Sequence, residues 1–238
     1  MDTKIHVPSL PLAANICDQL LREVTTNHLW TMAHVLMNPG AFSLLHKHEK
    51  MAEVYAITRG YGELVIGSHS YEVRAGSVIH ISPQVPHQFF NTGATSLEHL
   101  VLAMPPFDPA DVVIIESHGI RRHGVPFVFP PVVECFDGAK IMPYELQELD
   151  PSFAFGWVIN DPSRRKSPHY HKRVTEYIFI VEGRGTIEID GEIVPIESGD
   201  WVEIPPESAH VICNKEDQYM VALCICSPRF DMTDVFYR

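Results

Sequence analysis

No stretch of this 238-residue chain approaches the roughly 18 or more uninterrupted apolar residues of a membrane-spanning helix, so no membrane partner is expected. The opening MDTKIHVPSLPL lacks a charged-then-apolar secretory pattern, and a cytoplasmic location is the expectation. Basic residues are scarce. Eighteen Lys and Arg stand against 30 Asp and Glu, and a surface with a net charge of −12 repels phosphate backbones, which excludes nucleic acid as an expected partner. Cysteines are few and odd in number: 17, 135, 213, 224 and 226 show no regular pairing, which argues against a disulfide framework. Cys224-x-Cys226 falls in the strand-like run YMVALCIC and reads as core packing rather than thiol chemistry. No helix-turn-helix or other output domain is legible, so a regulatory role has little support.

What is present is a repeat. His46, His48, Glu53 and His87 recur 123 positions later as His169, His171, Glu176 and His210. The same offset relates Gly60 to Gly183, Gly62 to Gly185, Gly76 to Gly199, Asn91 to Asn214, and Phe107-Asp108 to Phe230-Asp231. One unit of somewhat over 100 residues has been duplicated, and each copy is long enough to close its own core.

Short apolar runs broken by Gly, Pro, Asn and Asp dominate the chain and read as strands: 53–58, 62–66, 77–81 and 97–104, then 176–181, 186–189, 201–204 and 219–226. Asp190-Gly191 is a two-residue hairpin signal, with Gly67-Ser68 at its counterpart. Between the units, residues 117–133 mix Gly and Pro with Arg, His and Phe and read as a connector, where His118 and His123 lack ligand spacing.

His46-x-His48 places two imidazoles on one face of a strand, because side chains alternate with period two. Glu53 lies an odd number of residues beyond His48, so a bend near residues 49–51 must return it to that face. His87 follows the turn Ser82-Pro83-Gln84-Val85-Pro86 and needs a further strand to reach the same interior. A closed sheet satisfies all three constraints. A lone His-x-His is usually a pair of half-buried polar residues. The added glutamate, third histidine and repeat favour metal binding instead.

The run Gly40-x5-His46-x-His48-x4-Glu53-x6-Gly60 resembles the first motif of the cupin superfamily, and Gly76-x10-His87-x3-Asn91 resembles the second. In the second unit, His169-x-His171-x4-Glu176-x6-Gly183 and Gly199-x5-Pro205-x-Glu207-x2-His210-x3-Asn214 fit likewise, with Ser163 where the opening glycine is expected. Gln84 and Glu207 stand where the family usually has glycine, so those turns must change shape or absorb strain. The resemblance implies an all-β bicupin of two tandem cupin-type double-stranded β-helix (jelly-roll) barrels. The expected division is 1–117 for the N-terminal barrel, 118–138 for the connector and 139–238 for the C-terminal barrel. Each barrel would hold one divalent transition metal on three histidines and a glutamate.

Such a set of three imidazoles and one carboxylate suits Fe, Mn, Ni, Co or Zn and leaves two positions of an octahedron for water, dioxygen or substrate. Stepping back by two from His46 gives Leu44 and Phe42, and from His169 gives Ser167 and Arg165. If these face inward, the first pocket is apolar, and the second offers a guanidinium that could bind a carboxylate. Arg165 reads equally as a solvated loop cation beside Arg164 and Lys166. Tyr55, whose counterpart is Ile178, is either a proton donor at the first metal or wall packing. These readings point to a metal-dependent enzyme acting on a small oxygenated metabolite, of non-haem dioxygenase type. The alternatives are a redox-neutral isomerase, decarboxylase or lyase, and a non-catalytic small-molecule-binding cupin. Exposed edge strands would suit a homodimer.

Overall fold

The computed structural model describes residues 4–116, 124–135, 139–146, 149–160, 167–214 and 216–238. It divides into two compact units, Ser9–Phe129 and Met1–Pro8 with Pro130–Arg238. Among the described residues the regular structure is strand, with three short 3-10 turns.

In the first unit, one sheet orders the strands Ala13–Ala14, Leu20–Thr26, Thr31–Met37, Leu97–Met104, Ala52–Arg59 and Val78–Ile81. Its second sheet runs Val112–Ile114, His46–His48, His87–Phe90, Tyr61–Ile66, His69–Arg74 and Val125–Pro126. The core between them contains Val35, Met37, Tyr55, Ile57, Leu64, Val73, Ile81, Phe89 and Leu97. The second unit repeats this plan, and its core contains Ile178, Ile180, Ile187, Ile196, Val202, Ile204 and Met220. Six of these positions, from Tyr55 and Ile178 to Leu97 and Met220, match at the sequence offset, so the alternation that buries one copy buries the other.

Lys4–His6 departs from the expected division at residue 117. It pairs antiparallel with Asp200–Ile204, completing the sheet of the second unit. The cause is local chemistry: Lys4 Nζ and His6 Nδ1 reach the buried Asp200 carboxylate at 3.2 and 2.9 Å. Val7 is fully buried, and a side chain at Gly199 would strike Pro8 at 2.8 Å. The expected connector is also divided between the units. Val125–Pro126 runs parallel to His69–Arg74, and Val133–Glu134 pairs with Lys140–Tyr144. His118 and His123 lie outside the described residues.

The bend required between His48 and Glu53 is present. The Asp111 carboxylate accepts from the backbone N–H groups of Lys50 at 3.0 and 3.1 Å and of Met51 at 2.9 Å. Asp234 repeats the device by accepting from Arg173 N at 3.1 Å. Gln84 and Glu207 take φ of 63° and 68°, so these turns keep the left-handed shape and absorb the strain of a side chain there. In return their N–H groups donate to the carbonyls of His48 and His171, both at 2.6 Å. The Asp190-Gly191 hairpin forms with both residues at positive φ.

Candidate metal centres

In each unit three histidines and one glutamate converge from different strands. His46 and His48 come from a three-residue strand, and Glu53 comes from the strand beyond the bend. His87 lies directly opposite His46 in the neighbouring strand. The second unit places His169 opposite His210 in the same way. Within each group the candidate ligand atoms lie within 4.8 Å of one another.

Backbone carbonyls orient the imidazoles. His46 Nδ1 donates to Leu44 O at 2.8 Å and His87 Nδ1 to Val85 O at 3.0 Å. His210 Nδ1 donates to Ser208 O at 3.0 Å and His171 Nδ1 to Asp234 O at 3.1 Å. A carbonyl only accepts, so these bonds fix a proton on Nδ1 and turn Nε2 inward, where that of His210 donates to Glu176 Oε2 at 3.0 Å. In the first group His48 Nε2 and His87 Nε2 lie 3.2 and 3.0 Å from Glu53 Oε2, yet neither buried atom has a well-formed hydrogen bond. Lone pairs converging beside a carboxylate fit a bound cation. Burial and the neighbouring His87 lower the His46 pKa to about 4, which keeps it neutral near pH 7. Burial alone would raise Glu53, but contacts with His48 and His87 outweigh it and hold Glu53 well below the usual carboxylate range. Glu176 behaves similarly: burial opposes the shift, and His210 at 3.0 Å leads the contacts that lower it to about 2.

The surroundings differ sharply. All four residues of the first group are buried, with His87 at 1% and Glu53 at 6% exposure. Tyr55, Phe89 and His99 fill the barrel beside them, with Tyr55 and His99 ring centroids 4.8 Å apart and Phe89 and His99 5.1 Å apart. The Tyr55 hydroxyl donates to Glu53 Oε2 at 3.2 Å, and burial followed by the Glu53 charge raises its pKa well above the ordinary value. The first interior is therefore not the simple apolar pocket expected from Leu44 and Phe42. Phe42 is 42% exposed and packs on Phe90 instead, because the chain before His46 is not a continuous strand.

At the matching positions the second unit carries Ile178, Ile212 and Ala222. A cavity of about 480 Å³ opens there, and all four residues His169, His171, Glu176 and His210 line it. Cys224 and Cys226 form part of its wall, so this pair faces a pocket as well as the core. Burial, then the Glu176 charge, raises the Cys226 thiol well above its ordinary pKa and keeps it protonated. Ser167 also lines the cavity, whereas Arg165 lies outside the described residues.

Sequence reasoning missed the supports. Asp111 and Asp234 carry the same offset as the ligands, which was the available signal. Asp108 and Asp231, which share that offset too, cap the 3-10 turns that present Asp111 and Asp234. Phe230 also packs edge-on against His171, with centroids 5.9 Å apart.

The family described as Cupin domain matches residues 33–103 and 156–226. The oxalate-binding protein of Thermotoga maritima is 32% identical over 83 residues, 35% of this chain and 69% of that protein. The oxalate decarboxylase formate complex from Lactobacillus farciminis superposes with a TM-score of 0.72 at 16% identity, covering 100% of this chain and 88% of that one. A Bacillus subtilis oxalate decarboxylase structure, described for its Mn(II) centres, gives 0.68 at 14% identity over 97% of this chain and 78% of that one. At such identities the solved structures show a shared fold. With the family covering most of both repeats, this chain belongs to the cupins and is a bicupin.

Proposed function

We propose that this bicupin is a metal-dependent enzyme whose reaction centre is the C-terminal group of His169, His171, Glu176 and His210. One observation carries the reading: this group lines a cavity of about 480 Å³, whereas its N-terminal copy is enclosed by Tyr55, Phe89 and His99. A divalent ion held there would supply Lewis-acid polarisation of a substrate oxygen, or dioxygen activation if it is iron. The chain's own contribution is to hold the Nε2 atoms and the ionised Glu176 in place and to surround a substrate with apolar wall. Ile178, Ile212 and Ala222 accept a hydrocarbon body and exclude water from it. The N-terminal group would hold its ion without access for a substrate, and Tyr55 would serve there to position Glu53.

Dioxygenase-type turnover fits a ligand set that leaves two positions open. A redox-neutral decarboxylation or isomerisation, in which the ion polarises a substrate oxygen without redox change, is the second reading, and the relationship to the oxalate-binding protein of T. maritima favours a small carboxylate as its ligand.

The test uses His87→Ala and His210→Ala, each leaving one centre intact, loaded with Co(II) and titrated with azide. Azide should change the visible spectrum of His87→Ala and leave that of His210→Ala unaltered; the opposite pattern would overturn the assignment. Oxygen uptake with small hydroxy and oxo acids then separates the two reaction classes. A C-terminal centre that takes azide but turns over nothing in either assay would favour the binding module.

A further inference from the structure

The C-terminal cavity carries a fixed charge at its mouth. Arg229 lines it, two residues beyond the strand Met220–Ser227. Its Nη2 donates to the carbonyl oxygens of Leu146 at 2.7 Å and Leu149 at 2.6 Å. Carbonyl acceptors pin the guanidinium without cancelling its charge. Among the described residues no carboxylate reaches Arg229, although the chain carries a net charge of −12 and Glu145 lines the same cavity. Of the five N–H donors of an arginine, the three on Nη1 and Nε are left for another acceptor.

Placement makes this useful. Phe230 ties the same segment to the candidate centre through its contact with His171. The wall between contains Ile141, Phe153, Ile178 and Ile212. At the corresponding place the N-terminal unit has Pro106, which offers neither charge nor donor. A cation held in advance by backbone carbonyls loses little side-chain freedom when an anion arrives, and its planar fork suits a carboxylate.

We propose that Arg229 is the carboxylate anchor of this cavity, and that the ligand is a monocarboxylic acid whose apolar body lies along the wall towards the candidate centre. The proposal rests on the reading that the C-terminal cavity is the working site, but its test does not require a functional centre.

Chelator-stripped protein is titrated calorimetrically with octanoate and with octanamide, which share a chain and differ in charge. The wild type should bind octanoate at least about tenfold more tightly. Arg229→Met should erase that preference while leaving octanamide unchanged, and Arg229→Lys should retain part of it, since a point charge replaces the fork. Equal binding of the two ligands by the wild type, or a preference kept in Arg229→Met, would overturn the anchor. The latter would mean that another cation holds the acid. Loss of the anchor with azide still reaching the C-terminal centre defeats this inference alone. A preserved octanoate preference with azide reaching only the N-terminal centre defeats the assignment of the working site alone.

Discussion

Set side by side, the two barrels show where a duplicated chain is free to change. The candidate ligands and their supports are held constant: His46 and His169, Glu53 and Glu176, Asp111 and Asp234 occupy matching places. The walls beside them differ. Tyr55, Phe89 and His99 in one barrel become Ile178, Ile212 and Ala222 in the other, and Val101, which pairs with Tyr55, becomes Cys224, which pairs with Ile178. Two isoleucines and an alanine occupy less volume than three ring-bearing side chains, and they line the cavity of the second barrel. The room beside a candidate metal site can therefore change while all four candidate ligands are kept.

The most drastic way to break this contrast is to exchange the walls. Ile178→Tyr with Ile212→Phe and Ala222→His should abolish azide and octanoate binding while metal content by elemental analysis stays unchanged. The reverse pair, Tyr55→Ile with His99→Ala, should admit azide to the N-terminal centre and lower stability by about 3–5 kcal/mol in urea titrations, the order found for large-to-small core changes. If azide reaches neither altered barrel differently, the walls do not govern access.

A smaller effect is expected from the supports. Asp234→Asn weakens the acceptor that holds the bend before Glu176, and metal affinity at the second centre should fall about 10–100-fold in chelator competition. Asp111→Asn should do the same at the first centre. An unequal response would show that the buried first centre is held by its packing.

The subtlest distinction is in pH. Burial, then the neighbouring His34, lowers the His99 pKa to about 3 from an ordinary value of 6.5, against a raising pull from Glu53. The unfolded chain takes up that proton first. The stability His99 contributes is therefore fully present above pH 6.5 and lost as pH falls towards 3. His99→Leu should flatten the decline in urea midpoint between pH 7 and pH 4.5 by about one proton's worth of slope. An unaltered slope would mean that His99 is protonated within the fold.

The sequence revealed the repeated candidate ligands, the strand content and the bend before Glu53, because each is written in local spacing and period. It concealed what depends on partners far along the chain. Lys4–His6 finds its partner almost 200 residues away, and no local pattern announces that pairing. Strand alternation before the first histidine points to Phe42 and Leu44 for the pocket contrast. It lies instead in Phe89 and His99 on strands brought beside Tyr55 by folding. The repeat also slips by two residues before His169: Thr31 and Ser152, which both accept from a phenylalanine N–H, are equivalent. Counting back from His169 by a constant offset therefore misaligns that stretch.

The strand Lys4–His6 also bears on how the molecule is made. It leaves the ribosome almost 200 residues ahead of its partner Asp200–Ile204. During synthesis it must wait unpaired while the unit Ser9–Phe129 has everything it needs to fold. Completion of the second sheet is a late, long-range closure, and until then the backbone edge of Asp200–Ile204 is open to pairing with another chain.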